Sequence, residues 1–379
     1  MKLLYITNIP TPYRQKRFNR LSQLLLKNGI ELEVLYMAKT EPNRNWVLKK
    51  DTFKYSYNIY KGIHPVVGGM FAHFNPSLLI RLLKNDYQMA IVGGMASPTH
   101  WLAPFFISKN KVQIMSIESN LHSVKRTTGF SAWIKKILLK KANAYQVTGS
   151  PQRKYIEHFY PGAKNKRYIK LPNLIDENVF RDKVLELKKN RLNLRKEFNV
   201  LPSEQMWVLP ARLTHVKGVL PFLRLMKGII NVKLFILGDG DLNNTIAKHI
   251  NENKISAYLA GFVQQDDIIK YYAAADLFIL PSLKDPSPLT PIEAIASGLP
   301  ILVSSRIGNL EDVLVEDING WSYDPIDELD RGRELIRKIS QLPIEDFQKF
   351  SKNSFFQYHK MFNTDVCLEK YKEEILKLV

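Results

Sequence analysis

The chain has 379 residues, 45% of them hydrophobic and 24% charged. That length allows two or three packed cores, and the composition is the ordinary one of a soluble globular protein. A single cysteine, Cys367, rules out an internal disulfide framework and fits a reducing compartment. The net charge of +19 is unevenly spread: residues 1–170 hold 28 Lys and Arg against 7 Asp and Glu, a balance of +21, whereas residues 171–379 hold 27 against 29. Such asymmetry implies an anionic partner for the first half: nucleic acid, an anionic membrane surface or an acidic substrate.

The opening MKLLYITNIPTPY has too short an apolar run for a secretory signal, and no stretch approaches eighteen consecutive apolar residues. Lys2–Thr7 therefore reads as a buried strand. Thr11 is a good N-cap and Pro12 a good first residue for a helix to about Lys27, with Phe18, Leu21, Leu24 and Leu25 as its apolar stripe. Leu32–Met37 is a second strand, which opens a doubly wound α/β domain. Residues 40–75 have few clear periods and read as irregular or short-stranded.

Strands follow at Met89–Val92 and Val112–Ile117, with a helix over 98–108 between them. The second of these strands delivers Glu118, Ser119, Asn120 and His122 to its C-terminal end, where open α/β sheets place their ligand groups. Trp133–Lys141 (WIKKILLKK) predicts a basic amphipathic helix, with Trp133, Ile134, Ile137 and Leu138 on one side and Lys135, Lys136, Lys140 and Lys141 on the other. Added to the charge of this half, it suggests contact with a membrane surface. Tyr145–Thr148, Pro151–Phe159 and Tyr168–Leu171 continue the strand–helix–strand pattern.

The second half repeats it. After a polar helix expected over Asp182–Lys196, strands are predicted at Trp207–Leu209, Val232–Leu237, Tyr258–Val263, Leu277–Leu280 and Ile301–Val303. Ala211-Arg212-Leu213-Thr214-His215-Val216-Lys217-Gly218 follows the first of them, and Gly238-Asp239-Gly240 the second. In the stretch from Asp276 to Ser304, Ser287 is the expected N-cap and Pro288 the first residue of a helix that Gly298 and Pro300 end. The amides of Leu289 and Thr290 would then point out of a helix N-terminus, a ready anion site, with Asp285 and Glu293 bracketing it.

These segments resemble the retaining glycosyltransferases of the GT-B fold, family 4 (glycosyl transferase group 1). The carriers are the acidic pair Asp285 and Glu293 at the family's spacing, the Arg212…Lys217-Gly218 segment, and Pro172-Asn173-x-x-Asp176, which is similar to the family's inter-domain hinge. The resemblance implies two Rossmann-like doubly wound domains facing across a cleft, with a C-terminal helix crossing back to the first. The expected divisions are 1–171 for the acceptor, 172–350 for the nucleotide-sugar, and 351–379 for the returning helix. It implies that Arg212 and Lys217 clamp the donor diphosphate, where two fixed cations stabilise the charge developing on the leaving oxygen. Glu293 would hold the donor ribose and Asp285 the donor sugar, while His122 would lie near the transferred sugar. Gly238 and Gly240, the strand backbone ending at Val263, and the amides of Leu289 and Thr290 would line the nucleotide.

Some positions depart from the family pattern. Asp285 stands where Glu is usual, Pro286 and Pro288 where Gly is frequent, and the loop after the first strand holds Pro and Tyr rather than glycines. The expected activity is a retaining, metal-independent transfer from a nucleotide-sugar, a UDP-sugar above all, with no cofactor. The expected acceptor is a glycan or lipid-linked molecule in bacterial cell-surface polysaccharide or lipopolysaccharide synthesis. The expected location is cytoplasmic, peripheral on the inner face of the membrane. A nucleotide-sugar epimerase would need no basic acceptor half. A nucleic-acid binder would leave both the cationic and the acidic pairs without a role, and no nucleic-acid signature is present. A donor-binding but inactive homologue is the remaining alternative.

Overall fold

The computed structural model describes residues 1–41, 50–67, 70–121, 124 and 127–378. They divide into two compact units: residues 1–172 with 365–379, and residues 173–364. In the first, β1 (Lys2–Thr7), β2 (Glu31–Tyr36), β3 (Ser56–Ile59), β4 (Met89–Val92), β5 (Val112–Ile117), β6 (Ala144–Val147) and β7 (Arg167–Lys170) form one parallel sheet in the order β3-β2-β1-β4-β5-β6-β7. The strands are near-continuous apolar runs because helices cover both faces, as a parallel sheet requires. The helix Pro12–Leu26 starts as its sequence directs: the Thr11 hydroxyl accepts from the Arg14 amide at 3.3 Å, with Pro12 next in line. Residues 50–75 hold a 3₁₀ turn, β3 and a two-residue antiparallel pair.

The second unit contains β8 (Gln205–Pro210), β9 (Val232–Leu237), β10 (Ala257–Gly261), β11 (Leu277–Leu280), β12 (Ile301–Ser304) and β13 (Gly320–Tyr323), also all parallel, in the order β10-β9-β8-β11-β12-β13. Two apolar clusters, one around Phe278 and Ile292 and one around Trp207 and Trp321, form its core. In each unit the chain winds outward from its first strand and then returns to that strand's other side. The winding therefore reverses between β1 and β4, and again between β8 and β11. Crevices at such switch points, beyond the C-terminal ends of the strands, are where doubly wound sheets bind ligands.

Several elements differ from the sequence reading. Asp182–Lys196 is not one helix but a turn of π-helix over Asn178–Lys183 followed by short helices at Val184–Lys188 and Arg191–Glu197. The break lets Lys188 donate to the Ser297 and Gly298 carbonyls at the end of another helix. The helix Ile344–Phe362 belongs to the second unit, where Ser351 and Ser354 donate to the carbonyls of Gly298 and Leu299 and Gln357 to that of Asp312. The helix Thr364–Leu376 joins the first unit from Asp365 on: Tyr371 donates to Gln146 at 2.6 Å and Arg20 pairs with Asp365 at 2.9 Å.

Within Phe130–Lys141, Leu138 and Leu139 are the buried residues. Trp133 is 57% exposed and stacks on Phe130, which is 73% exposed. Lys135, expected on the solvated side, instead lies over the ring of Phe159 at 4.4 Å. None of the described helices is long and apolar enough to cross a membrane.

Candidate active site

The loops after β8, β9 and β11 are joined backbone to backbone. After β8, the Leu213 amide donates to the Asp239 carbonyl at 2.9 Å, and the Leu213 carbonyl accepts from Leu242 at 2.9 Å. A Cβ added to Gly238 would stand 2.0 Å from the Ala211 carbonyl oxygen, and one on Gly240 would stand 2.7 Å from that of Leu213. The Gly-Asp-Gly turn is therefore glycine-rich because the β8 loop lies directly on it. On the other side, Gly218 adopts φ +67° with the Pro281 carbonyl 2.1 Å from where a Cβ would be, while Leu283 donates to the Val216 carbonyl at 2.9 Å. This bed lies at the switch point of the second sheet.

On it, Lys217 Nζ donates to Asp285 Oδ2 at 2.5 Å, a pair 68 residues apart in sequence and largely buried. Arg212 is exposed, and its guanidinium makes no hydrogen bond or ion pair with the described residues. The structure thus joins one predicted cation to one predicted acid and leaves the other cation facing outward. Gly238 and Gly240 lie against the Arg212 segment, as the contacts above require, and Val263 lies partly buried two residues beyond the end of β10. His122 falls outside the described residues.

The helix carrying Glu293 corrects the expected cap. It runs Thr290–Ala296, with Leu289 in the cap position and Pro291 in the first turn. Ser287 does not cap it, because Asn173 Nδ2 donates to both the Ser287 carbonyl at 3.1 Å and its hydroxyl at 3.0 Å. Asn309 Nδ2 holds the Pro288 carbonyl at 2.9 Å, and Gly308 donates to the Asp285 carbonyl at 2.9 Å. Pinned in this way, residues 285–289 stay out of the helix, which starts two residues late. Leu289 and Thr290 remain at its start, and Glu293 is buried in its first turn. Its end follows the expectation: Leu299 donates to Ala294 and Gly298 to Ile295, the paired bonds of a Schellman motif, with Gly298 at φ +63°.

Sequence reasoning passed over the residues that hold this loop. The sequence marks Asn173 only as part of a hinge and gives Asn309 no role. Ser282 and Thr214, whose buried hydroxyls have no hydrogen-bond partner among the described residues, also drew no notice. Small polar residues just after buried strands were the available signal. No group of three or more His, Cys, Asp or Glu suited to a metal ion occurs among the described residues.

The model of the family "Glycosyl transferases group 1" matches residues 190–355, most of the second unit. An uncharacterized glycosyltransferase of Methanocaldococcus jannaschii is 32% identical over 141 residues, 36% of each chain. An alpha-monoglucosyldiacylglycerol synthase of Acholeplasma laidlawii is 31% identical over 156 residues, 39% of each chain. The matches therefore span little more than a third of these curated relatives. Among solved structures, Anabaena HepE in complex with UDP superposes with a TM-score of 0.72 over all of both chains at 14% identity. The fold is thus that of the GT-B glycosyltransferases, along the whole chain.

Proposed function

We propose, because the model of the group 1 glycosyl transferases matches most of the second unit, that the chain transfers a sugar, with retention of anomeric configuration, from a UDP-sugar to a glycan or lipid-linked acceptor. The observation that carries this reading is the bed of three stitched loops at the second switch point, which holds Lys217 against Asp285 and turns Arg212 outward. The leaving group of such a transfer is a nucleoside diphosphate. Arg212 offers a planar fork to it and Lys217 a compact charge, and Lys217 is held in place by Asp285 before the reaction. Asp285 keeps Lys217 in position and neutralised until the diphosphate takes its place. The carboxylate is then released towards the sugar hydroxyls.

Glu293 accepts the donor ribose hydroxyls from a buried position, and the Leu289 and Thr290 segment and the Gly238–Gly240 turn lie beside the nucleotide. His122 acts at the transferred sugar. With two cations meeting the developing charge, the transfer runs without a metal. HepE was solved with UDP, and the Acholeplasma relative is named for synthesis of a glycolipid. Those facts support the choice of nucleotide and of acceptor class.

The first unit, with residues 365–379 included, carries +20 of the net charge and takes the acceptor. It also offers a surface suited to an anionic membrane. Trp101, Leu102 and Phe105 are exposed on one face of Pro98–Phe106, and Phe130 and Trp133 on the neighbouring helix among Lys136, Lys140 and Lys141. Lys141 stands 4.6 Å over the Phe105 ring and ties the two helices together. Aromatic rings beside lysines are the composition of an interfacial contact.

The test is thermal unfolding with UDP, GDP and ADP and their sugar conjugates. A ligand held only by the native state at a hundredfold excess over Kd adds about 2.7 kcal/mol. A shift with UDP that Glu293→Ala abolishes while the fold survives is the expected result, and near-normal UDP affinity in that variant refutes the assignment. The anomeric configuration of the product, read by NMR, tests retention.

A further inference from the structure

The first unit has a crevice of its own at its switch point: a cavity of about 330 Å³ beyond the ends of β1, β4 and β5. Asn8 enters it from the loop after β1, Gly93-Gly94 from the turn after β4, and Ser116, Glu118 and Ser119 from the end of β5. The floor is glycine for a reason: a Cβ on Gly93 would stand 2.4 Å from the Ile6 carbonyl, and Gly94 has φ +128°. The close approach of the β1 backbone thus leaves no room for a side chain at Gly93, and backbone lines the cavity there.

Its titratable lining is unbalanced. Two cations, Arg14 and Lys135, face one carboxylate, Glu118. Arg14 is seated by its other nitrogen on the Thr7 hydroxyl at 2.9 Å, and reaches Glu118 at 3.3 Å, long for a charge-assisted bond. Glu118 is itself half exposed, so water can solvate its carboxylate if an anion takes its place beside Arg14. Lys135 Nζ lies over the Tyr155 and Phe159 rings at 5.8 and 4.4 Å. The fourth titratable wall, His100, is fully buried, with Nδ1 bonded to the Ser97 hydroxyl and Nε2 without a hydrogen-bond partner among the described residues. Burial first, then His73 and Arg14, hold this ring neutral at working pH. The cavity thus has a fixed cationic side and a neutral imidazole wall.

We propose that this cavity is the subsite for an anionic group on the acceptor, a phosphate monoester or diphosphate ester beside the sugar being extended, gripped by Arg14 and Lys135 with Glu118 displaced. Ser116, Ser119 and Asn8 then line the sugar. The proposal rests on the glycosyltransferase reading and adds to it the class of acceptor: a phosphorylated sugar, soluble or as the head of a lipid, rather than a neutral glycan. It also separates the role of these two cations from that of the lysines on the outer aromatic surface.

The test is calorimetric titration of the full chain at low salt, with UDP saturating the second unit, using glucose 1-phosphate and glucose as probes. Expected is binding of the phosphate at least about tenfold tighter than of glucose, lost about tenfold in Arg14→Gln and in Lys135→Met. Arg14→Gln keeps a partner for Thr7 and Lys135→Met keeps the packing on the rings, so folding survives in at least one of them. Arg212→Ala, which disables the donor site under the first reading, is expected to weaken UDP and leave glucose 1-phosphate unchanged.

Equal affinity for glucose and its phosphate, no binding of the phosphate, or indifference to both first-unit substitutions overturns the proposal, while UDP binding reports separately on the donor site. Flotation with phosphatidylglycerol vesicles separates the sources of phosphate. Loss of vesicle binding in Arg14→Gln and Lys135→Met, with sugar phosphate binding intact, assigns the two cations to the membrane surface and also overturns it.

Discussion

The two switch points of this chain are built on one topology and differ in how they treat charge. At the second, between β8 and β11, loops are locked to one another through backbone bonds and glycine contacts, and Lys217 is paired with Asp285 at 2.5 Å. At the first, between β1 and β4, the cavity stays open, Arg14 reaches Glu118 only at 3.3 Å, and the surrounding unit is strongly basic. A site that must discriminate a developing charge needs fixed groups with little to reorganise. A site that must collect a large anionic partner gains more from an excess of positive charge around it, which raises the encounter rate. The contrast separates the chemistry from the capture.

Four experiments sharpen or break that contrast. The largest effect is expected from Arg212→Ala and Lys217→Ala, each lowering kcat/KM for transfer about 10²- to 10³-fold while Kd for glucose 1-phosphate at the first cavity holds; a drop below tenfold removes the fixed-cation account. Next is Gly238→Ala, which forces a Cβ against the Ala211 carbonyl. A loss of about 3 kcal/mol in urea unfolding is expected, with UDP affinity falling alongside. Gly29→Ala, at φ +72° with open space around it, is the control for backbone strain without a clash.

Third is acid stability. His100 is pushed down to about 3 by burial, then by His73 and Arg14, so between pH 6.5 and 3 the unfolded chain binds a proton that the folded one does not. Stability from this group is present above pH 6.5 and lost as pH falls towards 3. Between pH 6.5 and 5 the loss is about 2 kcal/mol. A wild-type slope no steeper than that of His100→Gln contradicts the buried, neutral ring. The smallest change in stability belongs to Phe130→Ala with Trp133→Ala, within about 0.5 kcal/mol of wild type because both rings are exposed. Binding to phosphatidylglycerol vesicles is expected to fall several-fold all the same. Unchanged flotation would confine membrane attraction to charge alone.

Where a local signal and the tertiary setting agreed, the sequence was legible. Thr11 and Pro12 start a helix, Gly298 ends one, and Met89–Val92 and Val232–Leu237 lie where their apolar runs put them. The expected cap at Ser287 failed for an identifiable reason. Asn173 and Asn309, distant in sequence, take up the groups that would have started the helix at Pro288. The solvated place expected for Lys135 failed likewise, since helical spacing orders residues around an axis but does not say which arc the fold will cover.

By itself the sequence determined the alternation of buried strands and helices, the charge split between the halves, and the residue types available for an anionic leaving group. These are properties of neighbours along the chain and of composition. Only the tertiary structure decided that Lys217 would meet Asp285, that the Gly-Asp-Gly turn exists to let the Arg212 loop lie on it, and that Arg14 and Lys135 would share a cavity. Each of those depends on which strands became neighbours. In a doubly wound sheet that choice is made by the packing of helices on both faces, and no local spacing records it.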